Sequence, residues 1–256
     1  MPNLTPETYP SFEPKSVSHS QIDGYNRCPY HYYLKKVLKL EEPPNFYAVF
    51  GGMMHEIFER DALEEKKNKR RYTLAALERQ YEKAFNKTEF PWPDKRTEDK
   101  YYGLGYDMIE FYANDRQRKV VDVEYSFNLE GKVDVPITGF IDLIYETKDG
   151  EMVVSDYKTG NPYRKSDLET NKQLTLYCLA FKEKYGKLPD KLEFHFVKTG
   201  DRVYVERTEQ DIEEMLAYYK ESIEKIRAGD FDRTCDNSWW CDNICGFGIY
   251  EKCPRK

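Results

Sequence analysis

The apolar residues of this chain change their period close to residue 119, and that change restricts it to few architectures. Before it, they return every three or four positions: Ile22 and Tyr25; Tyr30, Tyr33, Leu34, Val37 and Leu38; then Val49, Met53, Ile57 and Phe58, running into the charged stretch 64–71. Residues 73–85 and 100–112 repeat the spacing. It predicts amphipathic helices, with Ser18 as the first N-cap and a break near Pro29. After residue 119, β-branched and apolar residues alternate over 120–127, 137–145 and 152–157, which predicts three strands. A helix over 167–185, a hairpin of 192–197 and 203–206 turning at Thr199-Gly200-Asp201, and an amphipathic helix over 208–227 complete the pattern. Helices followed by strand, helix and strand predict an α/β fold, with a sheet core flanked by helices.

Composition excludes two classes. Hydrophobic residues make up 39% and charged residues 34% of the 256, and no apolar run approaches the roughly 20 residues of a membrane helix. An aromatic share of 15% is far richer than in chains too polar to build a core. The net charge of −6, from 40 basic and 46 acidic residues, argues at first sight against a nucleic-acid partner. Residues 1–16 carry four prolines and none of the charged-then-apolar pattern of a secretory leader. A reducing, cytoplasmic setting is therefore expected, in which six cysteines do not read as three disulfides.

Two apolar strands carry a carboxylate where a β-branched residue is expected: Asp142 in Gly139-Phe140-Ile141-Asp142-Leu143, and Asp156 in Val153-Val154-Ser155-Asp156-Tyr157-Lys158-Thr159-Gly160. Buried and uncompensated, each would cost several kcal/mol. A divalent cation neutralises such a pair, because hard cations take carboxylate oxygens. Asp156 and Lys158 leave the same face of a strand, so an ammonium stands ready to orient or deprotonate a water or to stabilise charge on a phosphate. Each feature alone also fits a strand-end aspartate or a surface ion pair. Three more residues join them: His55 on the helix after Gly51-Gly52, and Gln173 and Tyr177, which share a helical face.

In order and spacing these residues resemble a RecB-type nuclease of the PD-(D/E)XK superfamily: a GxxxH motif within 51–59, GxxD at 139–143, DYKTG at 156–160 and QxxxY at 173–177. The resemblance implies a restriction-endonuclease-like core and a single nuclease domain over 1–256, made of a helical region (17–118), a core (119–229) and a cysteine-rich tail (230–256). It further implies a deoxyribonuclease whose Mg²⁺ or Mn²⁺ is held by His55, Asp142, Asp156 and the carbonyl of Tyr157. Lys158 would be catalytic, with Gln173 and Tyr177 supporting the site or touching DNA. Glu124 is a candidate extra ligand or supporting acid, and equally a solvent-facing residue of an alternating strand.

The tail holds four cysteines, Cys235, Cys241, Cys245 and Cys253, with Cys28-Pro29 far upstream and Cys178 on the Gln173 helix read as a buried apolar residue. Crowded thiols in a reducing compartment read as a metal site. Spacing alone leaves Zn²⁺ and an iron–sulfur cluster open, since the tail lacks the short CxxC of zinc knuckles. The resemblance favours a [4Fe–4S] cluster on Cys28, Cys241, Cys245 and Cys253, as in the CRISPR-associated and helicase-associated exonucleases. The x3 and x7 spacings depart from that subgroup and leave Cys235 as an alternate ligand.

Basic runs at Lys35, Lys36 and Lys39, at 66–71, and at Arg116, Arg118 and Lys119 are candidate phosphate contacts. Tyr101-Tyr102 and Trp239-Trp240 are candidate stacking or core aromatics. The implied partner is DNA, single-stranded or with free ends, alongside a helicase or CRISPR adaptation machinery. The rival reading is a non-catalytic iron–sulfur DNA-binding or adaptor protein on the same fold.

Overall fold

Ser18 caps the first helix as its position predicts, its Oγ accepting from the N–H of Gln21 at 3.3 Å. The computed structural model describes residues 9–114, 116, 118–233, 238–249 and 253. Helices come first: α1 (His19–Arg27), α2 (Pro29–Tyr32), a π-helical turn (Tyr33–Val37), α3 (Phe46–Asn68), α4 (Leu74–Lys87) and α5 (Lys95–Asn114). Strands β1 (Lys119–Leu129), β2 (Ile137–Glu146) and β3 (Met152–Lys158) follow the change of period. Then come α6 (Lys165–Glu169), α7 (Lys172–Tyr185), β4 (Lys191–Phe196), β5 (Asp201–Val205), α8 (Glu209–Arg227), α9 (Ser238–Asn243) and α10 (Gly246–Ile249). The single helix expected over 167–185 is in fact two. Asn171 interrupts it, its Oδ1 accepting from the N–H groups of Gln173 at 2.9 Å and Leu174 at 3.2 Å, so that α7 starts afresh just before Gln173.

The five strands lie in chain order. β2 and β3 are antiparallel, β3 and β4 parallel, and β4 and β5 antiparallel. Only the parallel pair needs a long crossover, and α6 and α7 supply it. The chain divides into two compact units, one of Met1–Asn45, Phe127–Gly139 and Glu213–Lys256, the other of Phe46–Ser126 and Phe140–Ile212.

The second unit packs α3, α4 and α5 on the sheet. Phe58 stacks on Tyr112 at 4.4 Å between ring centres, and Tyr157 of β3 meets Phe58 at 5.3 Å. Gly105 is required here, because a Cβ would stand 2.1 Å from the ring of Tyr81. Asp61 of α3 is fully buried and satisfied, accepting from Arg116 Nη1 at 2.9 Å, Tyr112 Oη at 2.9 Å and the N–H of Tyr72 at 2.8 Å. Four strands meet at Glu193 on β4, which accepts from Ser155 Oγ of β3 (2.6 Å), Tyr145 Oη of β2 (2.7 Å) and Arg202 Nη1 of β5 (2.6 Å). A one-residue slip would turn these partners to opposite faces, so the network fixes the register that sets the candidate site. Glu193→Ala strands a part-buried guanidinium and should cost about 3–5 kcal/mol, read as a lower urea midpoint.

In the first unit, Tyr25, Tyr32, Tyr33 and Phe231 form an aromatic core, and Tyr25 Oη donates to the carbonyl of Asp230 at 2.8 Å. The C-terminal segment is seated on residues 42–45. Asn45 Nδ2 donates to the carbonyl of Ile244 at 2.8 Å, and Gly246 N–H donates to Glu42 Oε1 at 3.1 Å. Any Cβ at Gly246 would lie 2.0 Å from the carbonyl oxygen of Pro43, so only glycine fits.

Candidate active site and cysteine-bearing tail

β2 pairs with β3 so that Leu143 opposes Ser155. One residue on, that register sets Asp142 beside Asp156 on one face of the sheet. Asp142 Oδ2 accepts from the N–H of Tyr157 at 2.9 Å, and His55 Nδ1 of α3 lies 3.4 Å from the same oxygen. The His55 ring also faces the backbone carbonyl of Tyr157. Burial lowers the pKa of His55 more than Asp156 raises it, so the ring is neutral at neutral pH, the form that binds a metal.

On the α7 side, Lys158 Nζ lies 2.7 Å from Asp156 Oδ2 and donates to Gln173 Oε1 at 2.8 Å. Gln173 Nε2 donates in turn to Tyr177 Oη at 3.0 Å. Burial and the Asp156 and Asp142 carboxylates hold the Tyr177 hydroxyl well above its usual pKa, and its contact with Asp156 closes the circuit. Burial would lower the pKa of Lys158, but Asp156 raises it past its ordinary value. Asp156 thus holds the Lys158 ammonium charged within the site.

Burial, then Asp156, pushes the Asp142 carboxyl up to about 8. Glu124 joins the same field, pushed up to about 7 by burial, then by Asp142 and Glu59. Its φ of 46° is left-handed backbone inside a strand, a strained state for a residue other than glycine, and such strain gathers at functional sites. Asp156 Oδ2 is buried, with the Lys158 ammonium 2.7 Å away. Crowded carboxyls forced towards protonation and a neutral imidazole suit a hard divalent cation with some nitrogen affinity.

A pH dependence follows. Asp142 and Glu124 bind protons more tightly folded than unfolded, so the stability they contribute is complete below about pH 4 and is lost as pH rises through about 7 to 8. Mg²⁺ or Mn²⁺ should therefore raise the melting temperature more at pH 8 than at pH 5.5, where the protons compete. Differential scanning fluorimetry with and without metal measures this, and Asp142→Asn should flatten the difference.

Glu59 is a member of the site that the motif pattern does not single out, although it sits one helical turn after His55 and i,i+4 spacing could have found it. Arg118 departs from the expectation of a surface phosphate contact. It is buried, and its Nη2 donates to Tyr157 Oη at 2.9 Å. The other basic runs are also largely engaged: Arg116 with Asp61, Lys66 with Asp122, Arg71 with Glu65, Lys119 with Glu146 and Lys35 with Glu42. Tyr101 packs on Phe46 and Phe50, and Trp240 is buried against His31, whereas Trp239 is 61% exposed.

Cys28 is buried between α1 and α2, and burial raises the Tyr30 hydroxyl's pKa, with Cys253 and Cys28 near enough to add to it. Cys245 is buried beside Cys241, its thiol pushed up to about 12 by burial although the N–H groups of Gly248 and Phe247 point at its sulfur. Cys253 N–H donates to the carbonyl of Phe247 at 3.0 Å, and Cys178 is buried on α7 as expected. Cys235 lies outside the described residues. His31, Glu42 and Cys245 form a candidate metal-binding group among the described residues, with ligand atoms within 4.8 Å of one another. Glu42 already accepts from His31 Nε2 at 2.8 Å and Lys35 Nζ at 2.5 Å. Burial raises its carboxyl pKa, but these two partners override that and hold it at about 2.

Among known proteins, the chain is 27% identical over 198 residues to a component of the ATP-dependent helicase/deoxyribonuclease of Streptococcus equi subsp. zooepidemicus strain H70, an alignment covering 72% of this chain. The protein of the same name in strain MGCS10565 is 27% identical over 197 residues. The chain spans only 18% of the length of these curated relatives. A solved structure, that of SSO0001, aligns over 88% of this chain and 94% of its own at 16% identity and a TM-score of 0.38, too loose a likeness to argue from. No helix among the described residues is long and apolar enough to cross a membrane. The family model that fits runs over residues 16–253 and takes in His55, both aspartates, Lys158 and the cysteines from Cys28 to Cys253, so that the chain belongs to the PD-(D/E)XK nuclease superfamily.

Proposed function

We propose that this chain is a divalent-metal-dependent DNA nuclease acting from strand ends, an exonuclease. The observation that carries the reading is the convergence of His55, Asp142, Asp156 and Lys158. His55, Asp142, Asp156 and the carbonyl of Tyr157 would hold Mg²⁺ or Mn²⁺, the imidazole making Mn²⁺ a fitting choice. When bound, the ion supplies Lewis-acid activation of water and of the phosphodiester. Lys158 keeps its proton and donates to the attacking water or to a non-bridging phosphate oxygen. Gln173 and Tyr177 hold that ammonium in place, and Glu124 supports the ligands. The neutralising ion adds positive charge that the formal −6 leaves out.

In the same reading, Cys28, Cys241, Cys245 and Cys253 bind a [4Fe–4S] cluster that staples the tail. Backbone N–H groups aimed at Cys245 suit a cluster thiolate. The helicase named in the relatives supports a cytoplasmic role beside a helicase, in DNA repair or recombination. The family match across both units supports one nuclease domain.

Digestion of end-labelled single- and double-stranded DNA with Mg²⁺, with Mn²⁺ and with EDTA tests the reading. Shortening from an end that stops in EDTA is expected. Binding without metal-dependent loss of substrate would favour the adaptor reading instead.

A further inference from the structure

Helix α3 serves two surfaces. His55 and Glu59 face the carboxylates of the candidate site. Turning about 100° from one residue to the next, the same helix presents Gly52, Glu56 and Arg60 to a groove of about 620 Å³ shared with α4. From α4 come Gln80, Lys83 and Lys87. Three cations thus meet one carboxylate, and that carboxylate is occupied, since Glu56 Oε2 accepts from Arg60 Nη2 at 2.9 Å. Lys83 and Lys87 are exposed and make no ion pair among the described residues, unlike most of the basic runs read from the sequence.

We propose that this groove holds a single nucleic-acid strand alongside the nuclease centre, with its phosphates on Lys83 and Lys87; the proposal rests on the nuclease reading and extends it. Lys83 and Lys87 are four residues apart on one helix face, a rise of about 6 Å, which matches the repeat of phosphates along an extended strand. Gln80 continues the stripe one turn earlier and offers amide donors. Val49, partly exposed, lines the groove and gives bases an apolar contact. At Gly52 a Cβ would meet nothing within 4 Å, so the strand has open space against α3.

The test uses the full chain carrying Asp156→Asn, in EDTA, with anisotropy of a labelled oligothymidylate. Binding then needs no hydrolysis, and failure of the nuclease reading shows separately, as intact DNA in the digestion assay with the unaltered chain. Lys83→Glu with Lys87→Glu should weaken binding at least tenfold and reduce the salt slope by about 0.7 for each lysine. Lys220→Glu, an exposed control on α8, should change it less than twofold. Gly52→Trp fills the groove without altering charge and should also weaken binding. Circular dichroism checks that the variants fold. Equal effects of the paired reversals and the control, or full binding by Gly52→Trp, would overturn the proposal. So would capture of a polyglutamate peptide that depends on Lys83 and Lys87 while oligothymidylate binding does not, because the groove would then fit an acidic protein segment.

Discussion

Asp156→Asn is expected to reduce hydrolysis of linear DNA on the order of a thousandfold or more while leaving the melting temperature within a few degrees of the unaltered chain. The size of the effect comes from the number of jobs one carboxylate does. Asp156 neighbours Asp142 across the β2–β3 register, holds Lys158 Nζ at 2.7 Å and closes the circuit through Gln173 and Tyr177. The amide keeps the volume but loses the charge that would bind the cation. Stability changes little, because the amide oxygen still accepts from Lys158 Nζ, and Asp142, freed of its neighbour's charge, ionises more readily and supplies a countercharge to the ammonium. Lys158→Met should be nearly as damaging through the other half of the pair, and by the donor reading raising the pH should not rescue it. Single-turnover rates with saturating Mn²⁺ separate lost chemistry from lost metal affinity, and a variant at full rate would remove Asp156 from the site.

The second large effect concerns the tail. By the cluster reading, the anaerobically purified protein should be brown and contain iron and sulfide, and Cys245→Ser should remove them and lower the melting temperature by about 10–20 °C. That range corresponds to a loss of about 5 kcal/mol in a chain of this size, within what a structural metal centre contributes to folding. The free Cys245 thiol is protonated at neutral pH because burial pushes it up to about 12. Its sulfur becomes a ligand only when a metal displaces the proton. The C-terminal segment is otherwise held by Asn45 on Ile244, Glu42 on Gly246 and the packing of Trp240 and Phe247 on His31. A colourless protein containing one zinc, unchanged in stability by Cys28→Ser, would sink the cluster assignment.

The elements are legible because their periods differ. Two helices are expected around Pro29 and are found, and the sheet begins where the alternation begins. The break at Asn171 carries a sequence signal, because Asn favours an N-cap over a helix interior, but the apolar period runs on across it, and the hydrogen bonds to Gln173 and Leu174 show the cap. Basic runs mislead for a related reason. A charge in the sequence carries no information about its partner, and Arg116 and Arg118 are drawn in beside Asp61 and Tyr157.

By itself, the sequence determined the ordering of helices and strands, the identity of the two strand aspartates and the lysine two residues beyond the second, because periodicity and i,i+2 spacing are local properties of the chain. Tertiary structure decided what those groups are. The β2–β3 register made Asp142 and Asp156 neighbours and pushed the Asp142 carboxyl up to about 8. The Asp156 carboxylate kept Lys158 charged against its burial, and Glu124, on left-handed backbone, stands as a third carboxyl in the same field. Packing of α3 set His55 on one surface and the groove of Lys83 and Lys87 on another. Proton affinity and ion pairing depend on through-space distance and solvent exclusion, and neither exists until the chain is folded.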